Sequence, residues 1–232
     1  MIGEAFPHSR LDTRRALAQA ASIRRFDAGR PLLRQGDESS LALVLDGHVA
    51  VRRTTVDGRH LIVRIVTRGG LASLLPLAAR PAGGDAVAVT PSPAALWNGS
   101  EVRSFACADP GLAVDILDHT LVAYEEAVAR IDTLLRQSAL RRVARILSIH
   151  ADLFFSEQPV LTRAYLPSLV GTSREMTGRV LRTLEAKHVV MRVGRDRLRL
   201  LDPAGLAAAA ETVVDDPRIA DGTSSSSGAK AR

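Results

Sequence analysis

The sequence is short of the residues that build several kinds of protein. Cys107 is its single cysteine in 232 residues. That excludes an intramolecular disulfide framework, a cysteine-rich zinc site or a cysteine-ligated iron–sulfur cluster within one chain. Aromatic residues make up 3%, so the core must be aliphatic, and a base-stacking platform for single strands is disfavoured. No apolar run approaches the roughly 20 residues that span a bilayer; the longest, Leu71–Ala79, is interrupted by Ser73 and Pro76. Residues 1–10 lack the apolar stretch of a signal peptide. A soluble, cytoplasmic protein with no membrane partner is expected. Nor is there a nucleophile–base pair, a metal-ligand spacing or a phosphate loop, so the expectation is no enzyme, no cofactor and no metal. Lysine is nearly missing too: Lys187 and Lys230 stand against 29 arginines.

What is present is positive charge, unevenly placed. The formal net charge is +6, of which residues 138–201 carry +7, residues 106–137 carry −4, residues 1–105 carry +5 and residues 202–232 carry −2. A basic block behind an acidic segment suggests a separate module facing a polyanion, although scattered, solvated arginines would give the same sum. From Ile23 to Trp97 short apolar runs (31–33, 41–45, 49–51, 61–66, 86–89) are separated by turn residues such as Asp46-Gly47, Asp57-Gly58 and Gly69-Gly70. Asp-Gly between such runs signals hairpins, and the spacing suggests a small barrel or sandwich. Leu71–Ala79 looks more like a short helix or lid. The period then changes. Ser100–Phe105 suits a short helix capped by Ser100 or Asn98, and Asp109-Pro110 opens a long one. Leu117, Leu121, Tyr124, Val128, Ile131 and Leu135 recur along it every 3.5 residues. Such a seam is commonly internal packing, but a small barrel cannot cover so long a helix, which favours a homodimer.

Ser138–Phe155 reads as one further helix. Two short helices meet at Val170-Gly171-Thr172, a small hairpin turns at Gly194-Arg195-Asp196, and an Ala-rich helix follows Asp202-Pro203. From about Asp215 the composition reads as a disordered tail. Helix, tight turn, helix and hairpin make a winged helix-turn-helix pattern. Gly171 supplies the positive φ of the turn. Thr172 and Glu175 form a T-x-x-E capping box that starts the second helix at about Ser173, with Met176, Val180, Leu181 and Leu184 on its buried side. Arg174, Glu175, Gly178, Arg179 and Arg182 fall on the opposite side. In a major groove, arginine can donate twice to guanine and glutamate can accept from cytosine. Capping alone would also account for Glu175, and phosphate contact for the two arginines. Thr162, Ser173, Arg182, Arg195 and Arg197 fit phosphate and backbone contacts better. Pro167 removes one backbone donor from the first helix.

Val170-Gly171-Thr172-Ser173-Arg174-Glu175-x-x-Gly178-Arg179 resembles the recognition motif of the Crp/Fnr family of bacterial transcription regulators, and the resemblance covers about residues 20–206. It implies an α+β chain: an N-terminal antiparallel β-barrel or jelly roll of the cyclic-nucleotide-binding type (1–108), a dimerisation helix (109–137), a winged helix-turn-helix (138–206) and a helix end with tail (207–232). It also implies base reading by Arg174, Glu175 and Arg179 at an inverted pair of TGTGA-like half-sites. The implied partners are double-stranded DNA, a second copy of the chain and RNA polymerase. In cyclic-nucleotide-binding members of the family, a Gly-Glu pair holds the ribose and an Arg-Ser pair holds the phosphate. Ser73-Leu74 and Asp85-Ala86 stand at those places, and Ala127-Val128 replaces the polar pair that contacts adenine. The effector is therefore expected to be non-standard or absent, and not cyclic AMP.

Other signals stay open at this point. Arg52, Arg53, Arg59, Arg64 and Arg68 could hold a cyclic dinucleotide, or simply face water. An apolar pocket under Leu71–Leu77 could take a hydrophobic effector or be filled by its own side chains. His8, His48, His60, His119 and His150 offer a poor case for haem. Cys107 suits a small buried hydrophobe better than a redox site. The competing function is a ligand-binding signalling module that acts through protein contacts rather than DNA.

Overall fold

The computed structural model describes residues 1–38, 40–55, 58–78 and 80–211; the serine-rich tail lies outside the described residues. Two helices, α1 (Ile2–Ala5) and α2 (Leu11–Ala20), precede eight strands: β1 (Ser22–Phe26), β2 (Pro31–Leu33), β3 (Ser40–Val44), β4 (Val49–Thr54), β5 (His60–Val66), β6 (Leu71–Ser73), β7 (Asp85–Ala88) and β8 (Ser92–Asn98). They form two four-stranded antiparallel sheets, ordered β1-β8-β3-β6 and β2-β7-β4-β5. This is the jelly-roll arrangement.

Strand alternation explains why both faces of the first sheet are buried. Ala42 and Val44 of β3 and Ala94 of β8 face the second sheet with Leu33, Val49, Val66 and Ala88. Leu41, Leu43, Ala95 and Trp97 point the other way, into a second cluster with Phe6, Leu17, Val102, Leu112 and Ile116 from the helices. Trp97 Nε1 donates to the Leu17 carbonyl at 2.8 Å, and its indole meets Phe6 edge-on. With few aromatics to spend, the chain uses its tryptophan to seal the N-terminal helices onto the barrel.

Two turn and element assignments in the barrel differ from the sequence expectation. Asp46-Gly47 is not a hairpin, because β3 and β4 lie in different sheets. Gly47 (φ +81°) carries the chain between sheets, where a Cβ would stand 2.7 Å from the Pro91 carbonyl. The hairpin is β4–β5, and Gly58 lies in its turn; Asp57 is outside the described residues. Leu71–Ser73 is a strand paired with β3, because its backbone completes that sheet's edge; only Pro76–Ala78 is helical, as a 3-10 turn.

α3 (Gly99–Ala108) is capped by Asn98, whose side chain accepts from Ser100 N at 2.8 Å. α4 (Pro110–Arg136) runs for 27 residues, with Pro110 in its first turn behind the capping Asp109. Its buried Asp115 accepts the His8 and Ser9 amides at 2.9 and 3.0 Å and the His8 ring at 2.7 Å. Asp109 takes the Arg10 amide at 2.8 Å. These two carboxylates strap the N-terminal segment across the start of α4.

The expected single helix Ser138–Phe155 is broken in two, α5 (Ala139–Ile149) and α6 (Ala151–Phe155), at His150, whose φ of −111° and ψ of +33° leave the helical range. Then come α7 (Leu166–Val170), α8 (Arg174–Ala186), the hairpin β9 (Val190–Val193) and β10 (Arg197–Leu200), and α9 (Pro203–Glu211), which packs on α5. No helix among the described residues is long and apolar enough to cross a membrane.

Asp115→Ala should strand two amide donors, that of buried Ser9 and that of part-buried His8, at a cost of about 2–3 kcal/mol. Urea unfolding measures it. Asp115→Asn, which keeps one acceptor oxygen, should lose less.

Candidate nucleic-acid interface

The helix-turn-helix is α7, the turn at Gly171, and α8. Pro167 sits in the first turn of α7, where an amide needs no partner within the helix, so it fits rather than weakens this element. Gly171 ends the helix in the left-handed region (φ +69°, ψ +44°), and its N–H donates to the Pro167 carbonyl. A Cβ at this position would meet Leu134 of α4 at 2.8 Å and Leu61 of β5 at 3.3 Å. The left-handed turn favours glycine, and a larger residue would also make the ends of the Leu134 and Leu61 side chains shift.

The cap of α8 is Ser173, not Thr172: its hydroxyl accepts from Met176 N at 3.1 Å. The helix starts at Arg174, so the expected capping box does not form. Glu175 instead pairs with Arg179 one turn on. The Arg179 hydrogen bond and charge hold the Glu175 carboxyl below its ordinary range. Thr177, Val180, Leu181 and Leu184 are the buried side. Met176 is 36% exposed, contrary to expectation. The sequence reading missed Thr177, which turns its hydroxyl back to the Ser173 carbonyl at 2.9 Å and so can be buried.

Arg174, Glu175, Arg179 and Arg182 are all exposed, on the side of α8 away from that core. The wing carries Arg195 and Arg197, also exposed. Arg163, beside Thr162, fixes the wing's position: its Nε donates to the Arg195 carbonyl at 2.6 Å and its amide to the Asp196 carbonyl at 2.9 Å. Glu185 accepts from the Arg192 amide and Nε at 2.9 and 2.8 Å, tying α8 to β9. Neither tie had a spacing signal in the sequence. Both depend on where the wing folds back.

The module is docked on the barrel. Ala50, Ile62 and Val89 share one buried cluster with Val143, Leu147, Leu166, Leu169 and Val170. An open cavity of about 580 Å³ separates the β4–β5 turn (Thr55, Gly58–Leu61) from the N-terminus of α8 (Gly171–Arg174). Arg130 of α4 reaches the Leu169 carbonyl at the end of α7. Arg142 donates to the Leu134 and Gln137 carbonyls at the end of α4. Such contacts complement the negative end of a helix.

The four residues at the effector positions are dispersed. Ser73 lines a cavity of about 190 Å³ inside the barrel with Leu33, Val51, Arg53, Val63 and Leu75. Leu74 and Leu77 turn instead toward the cluster around Trp97. Ala86 is buried between the sheets. Asp85 accepts from Gln35 N at 2.8 Å and Arg52 Nε at 3.1 Å. Burial alone would raise the Asp85 carboxyl, but these partners hold it below the usual range. At about 190 Å³ the cavity falls well short of the roughly 300 Å³ at which ordinary ligand sites begin.

The six seam residues all lie exposed along α4, from 43% at Val128 to 80% at Leu135. Ala127 and Val128 are exposed on the same helix. Cys107 is exposed on α3, not the buried hydrophobe expected. Among the described residues no His/Cys/Asp/Glu group could hold a metal ion.

Comparison with known proteins covers both halves of the chain. Residues 23–107 match a cyclic nucleotide-binding domain, and residues 141–209 match a Crp-like helix-turn-helix domain. A CRP/FNR-family transcriptional regulator from Thermus thermophilus is similar at 25% identity and a TM-score of 0.70, over 83% of this chain and 100% of that one. The c-di-GMP responsive global regulator CLP of Xanthomonas campestris superposes at a TM-score of 0.71 with 21% identity, over 82% and 99% of the two chains. No curated protein matches the sequence.

Gly171→Ala should cost about 1–3 kcal/mol through the left-handed backbone alone, and displace Leu134 or Leu61 as well. Thermal unfolding should show the loss, whereas Gly194→Ala, with no atom near its Cβ position, should lose only the backbone part.

Proposed function

The chain belongs to the Crp/Fnr family of transcription regulators, and on that premise we propose that it acts as a homodimer reading an inverted repeat of TGTGA-like half-sites in duplex DNA. The observation that carries this reading is the exposed face of α8. Arg174, Glu175 and Arg179 crowd the first turns of a helix whose other side is packed and whose N-terminus is capped. Arg174 and Arg179 would each donate a pair of bonds to guanine, and Glu175 would accept from a cytosine amino group. Ser173 and Arg182 on α8, with Thr162, Arg195 and Arg197 around the wing, would hold the phosphates and set the register.

The exposed apolar seam on α4 supports the second copy. Leu117, Leu121, Tyr124, Val128, Ile131 and Leu135 form a stripe that one protomer leaves in water, and two such helices packed along it would bury it. A two-fold axis along that seam would present two α8 helices to half-sites one helical turn (~34 Å) apart. RNA polymerase is the partner implied for the DNA-bound dimer.

Cyclic AMP is not the effector in this reading. The small barrel cavity, the paired Asp85 and the inward-turned Leu74 leave neither a guanidinium for the cyclic phosphate nor a carboxylate for the ribose at the usual positions.

A gel shift with the inverted repeat tests the base assignment. Arg179→Ala should weaken specific binding about ten-fold or more, the value of one lost bidentate pair, while leaving non-specific binding nearly unchanged. Arg182→Ala should weaken both alike and reduce the salt dependence. Equal effects of the two changes would overturn base reading by Arg179. Sedimentation tests the seam: Ile131→Glu should convert the dimer to monomer without unfolding it.

A further inference from the structure

A cavity of about 280 Å³ lies between β5, the C-terminal half of α4 and α5; it shares Val63 with the barrel cavity but lies apart from the exposed face of α8. Its lining is unusual in charge. Arg64, Arg130, Arg142 and Arg145 converge on it with the His150 imidazole, against a single carboxylate, Glu126. Its remaining walls are largely apolar, including Val63, Ile65, Ile146 and Ile149.

Part of this cluster has a structural explanation. Arg64 donates to the Leu71 carbonyl, Arg130 to the Leu169 carbonyl, and Arg142 to those of Leu134 and Gln137. Those bonds use only one edge of each guanidinium. The Nε groups of Arg130 and Arg142 are buried and have no hydrogen-bond partner. Buried donors and buried charges are normally matched, because leaving them unmatched costs free energy. Arg145 stands exposed at the rim with no bonding partner among the described residues.

We propose that this cavity binds a small phosphate-bearing organic anion, up to about the size of a mononucleotide. Guanidinium is suited to the job, since its planar N–H groups pair with phosphate oxygens two at a time. The apolar walls would receive the organic part. The seam on α4 does not compete for the site. Glu126, Arg130 and Thr133 fall on the helix face opposite to Tyr124, Val128 and Ile131, so a partner helix packed along the seam leaves the cavity open.

The three walls belong to three parts of the chain: the barrel, the long helix and the first helix of the reading domain. A ligand held among them would fix their relative positions, and Arg130 connects the same cavity to the end of α7. Its role as an effector site rests on the DNA-reading function proposed above; its role as an anion site does not.

Titration calorimetry of the full chain with adenosine 5′-monophosphate, and separately with inorganic pyrophosphate, tests the site. The expected result is a dissociation constant on the order of 10–100 µM for the nucleotide, weakened at least ten-fold by Arg145→Gln and unchanged by Arg182→Gln. The monophosphate binding more tightly than pyrophosphate supports an organic phosphate. Pyrophosphate binding alone overturns the organic ligand. No binding of either, or binding weakened by Arg182→Gln as much as by Arg145→Gln, overturns the site, since the anion would then be absent or on the DNA face. Arg145 is exposed, so its variant should fold; a circular dichroism melt checks this. A gel shift without ligand reports DNA reading independently. If that fails while phosphate still binds, the site stands and only its effector role is lost.

Discussion

The contact on which the molecule depends is the burial of one face of the helix-turn-helix against the outside of the barrel. Ile62 of β5 and Ala50 of β4 occupy strand positions that a free-standing barrel would give to water. Here they are part of the reading domain's own core, with Val143, Leu147, Leu166, Leu169 and Val170. Gly171 makes the approach possible by having no side chain where Leu134 and Leu61 come closest. The two domains therefore share one apolar cluster. A change in the tilt of β5 or the end of α4 reaches α7 directly, through packed atoms.

The parts legible in the sequence were those set by local chemistry. Asp109-Pro110, the seam of α4, the glycine turn and the wing needed only neighbours in sequence to specify them. The parts that were not legible depend on distant partners. β1 has four of its five residues exposed, and β8 contains Pro93, so neither shows a clean alternation, yet they pair along five positions. Asp46-Gly47 looked like a hairpin because no local rule says which sheet the next strand will join. Leu71–Ser73 became a strand only because β3 offered an edge. At the reading helix, the difference of one residue between Thr172 and Ser173 as cap decided whether Glu175 would face the backbone or Arg179. Sequence spacing allowed either, and the φ/ψ of the turn chose.

The near-absence of lysine also has a structural counterpart. Arg130, Arg141 and Arg142 each place guanidinium donors on the carbonyls at or near the end of a helix, respectively those of α7, α9 and α4. A guanidinium can do this while a second planar edge still faces elsewhere, and an ammonium has no such second edge. The same side chain type thus serves as helix cap and as a tie between elements. An arginine-rich composition is in this sense an architectural choice as well as an electrostatic one.

On the proposed function, the Glu175–Arg179 pair has a consequence for how the protein would search DNA. In the free chain these two charges satisfy each other, which leaves Arg174 as the positive charge on this part of α8 with no ion-pair partner among the described residues. Sliding along arbitrary sequence would be driven by Arg182, Arg195 and Arg197, which can hold a backbone without asking what the bases are. On the proposed base assignment, only a site with guanine and cytosine edges at the right places would offer both members of the pair a new partner at once. Recognition of the cognate sequence would then have to open this exposed intrahelical ion pair, which costs little because a pair in water contributes little.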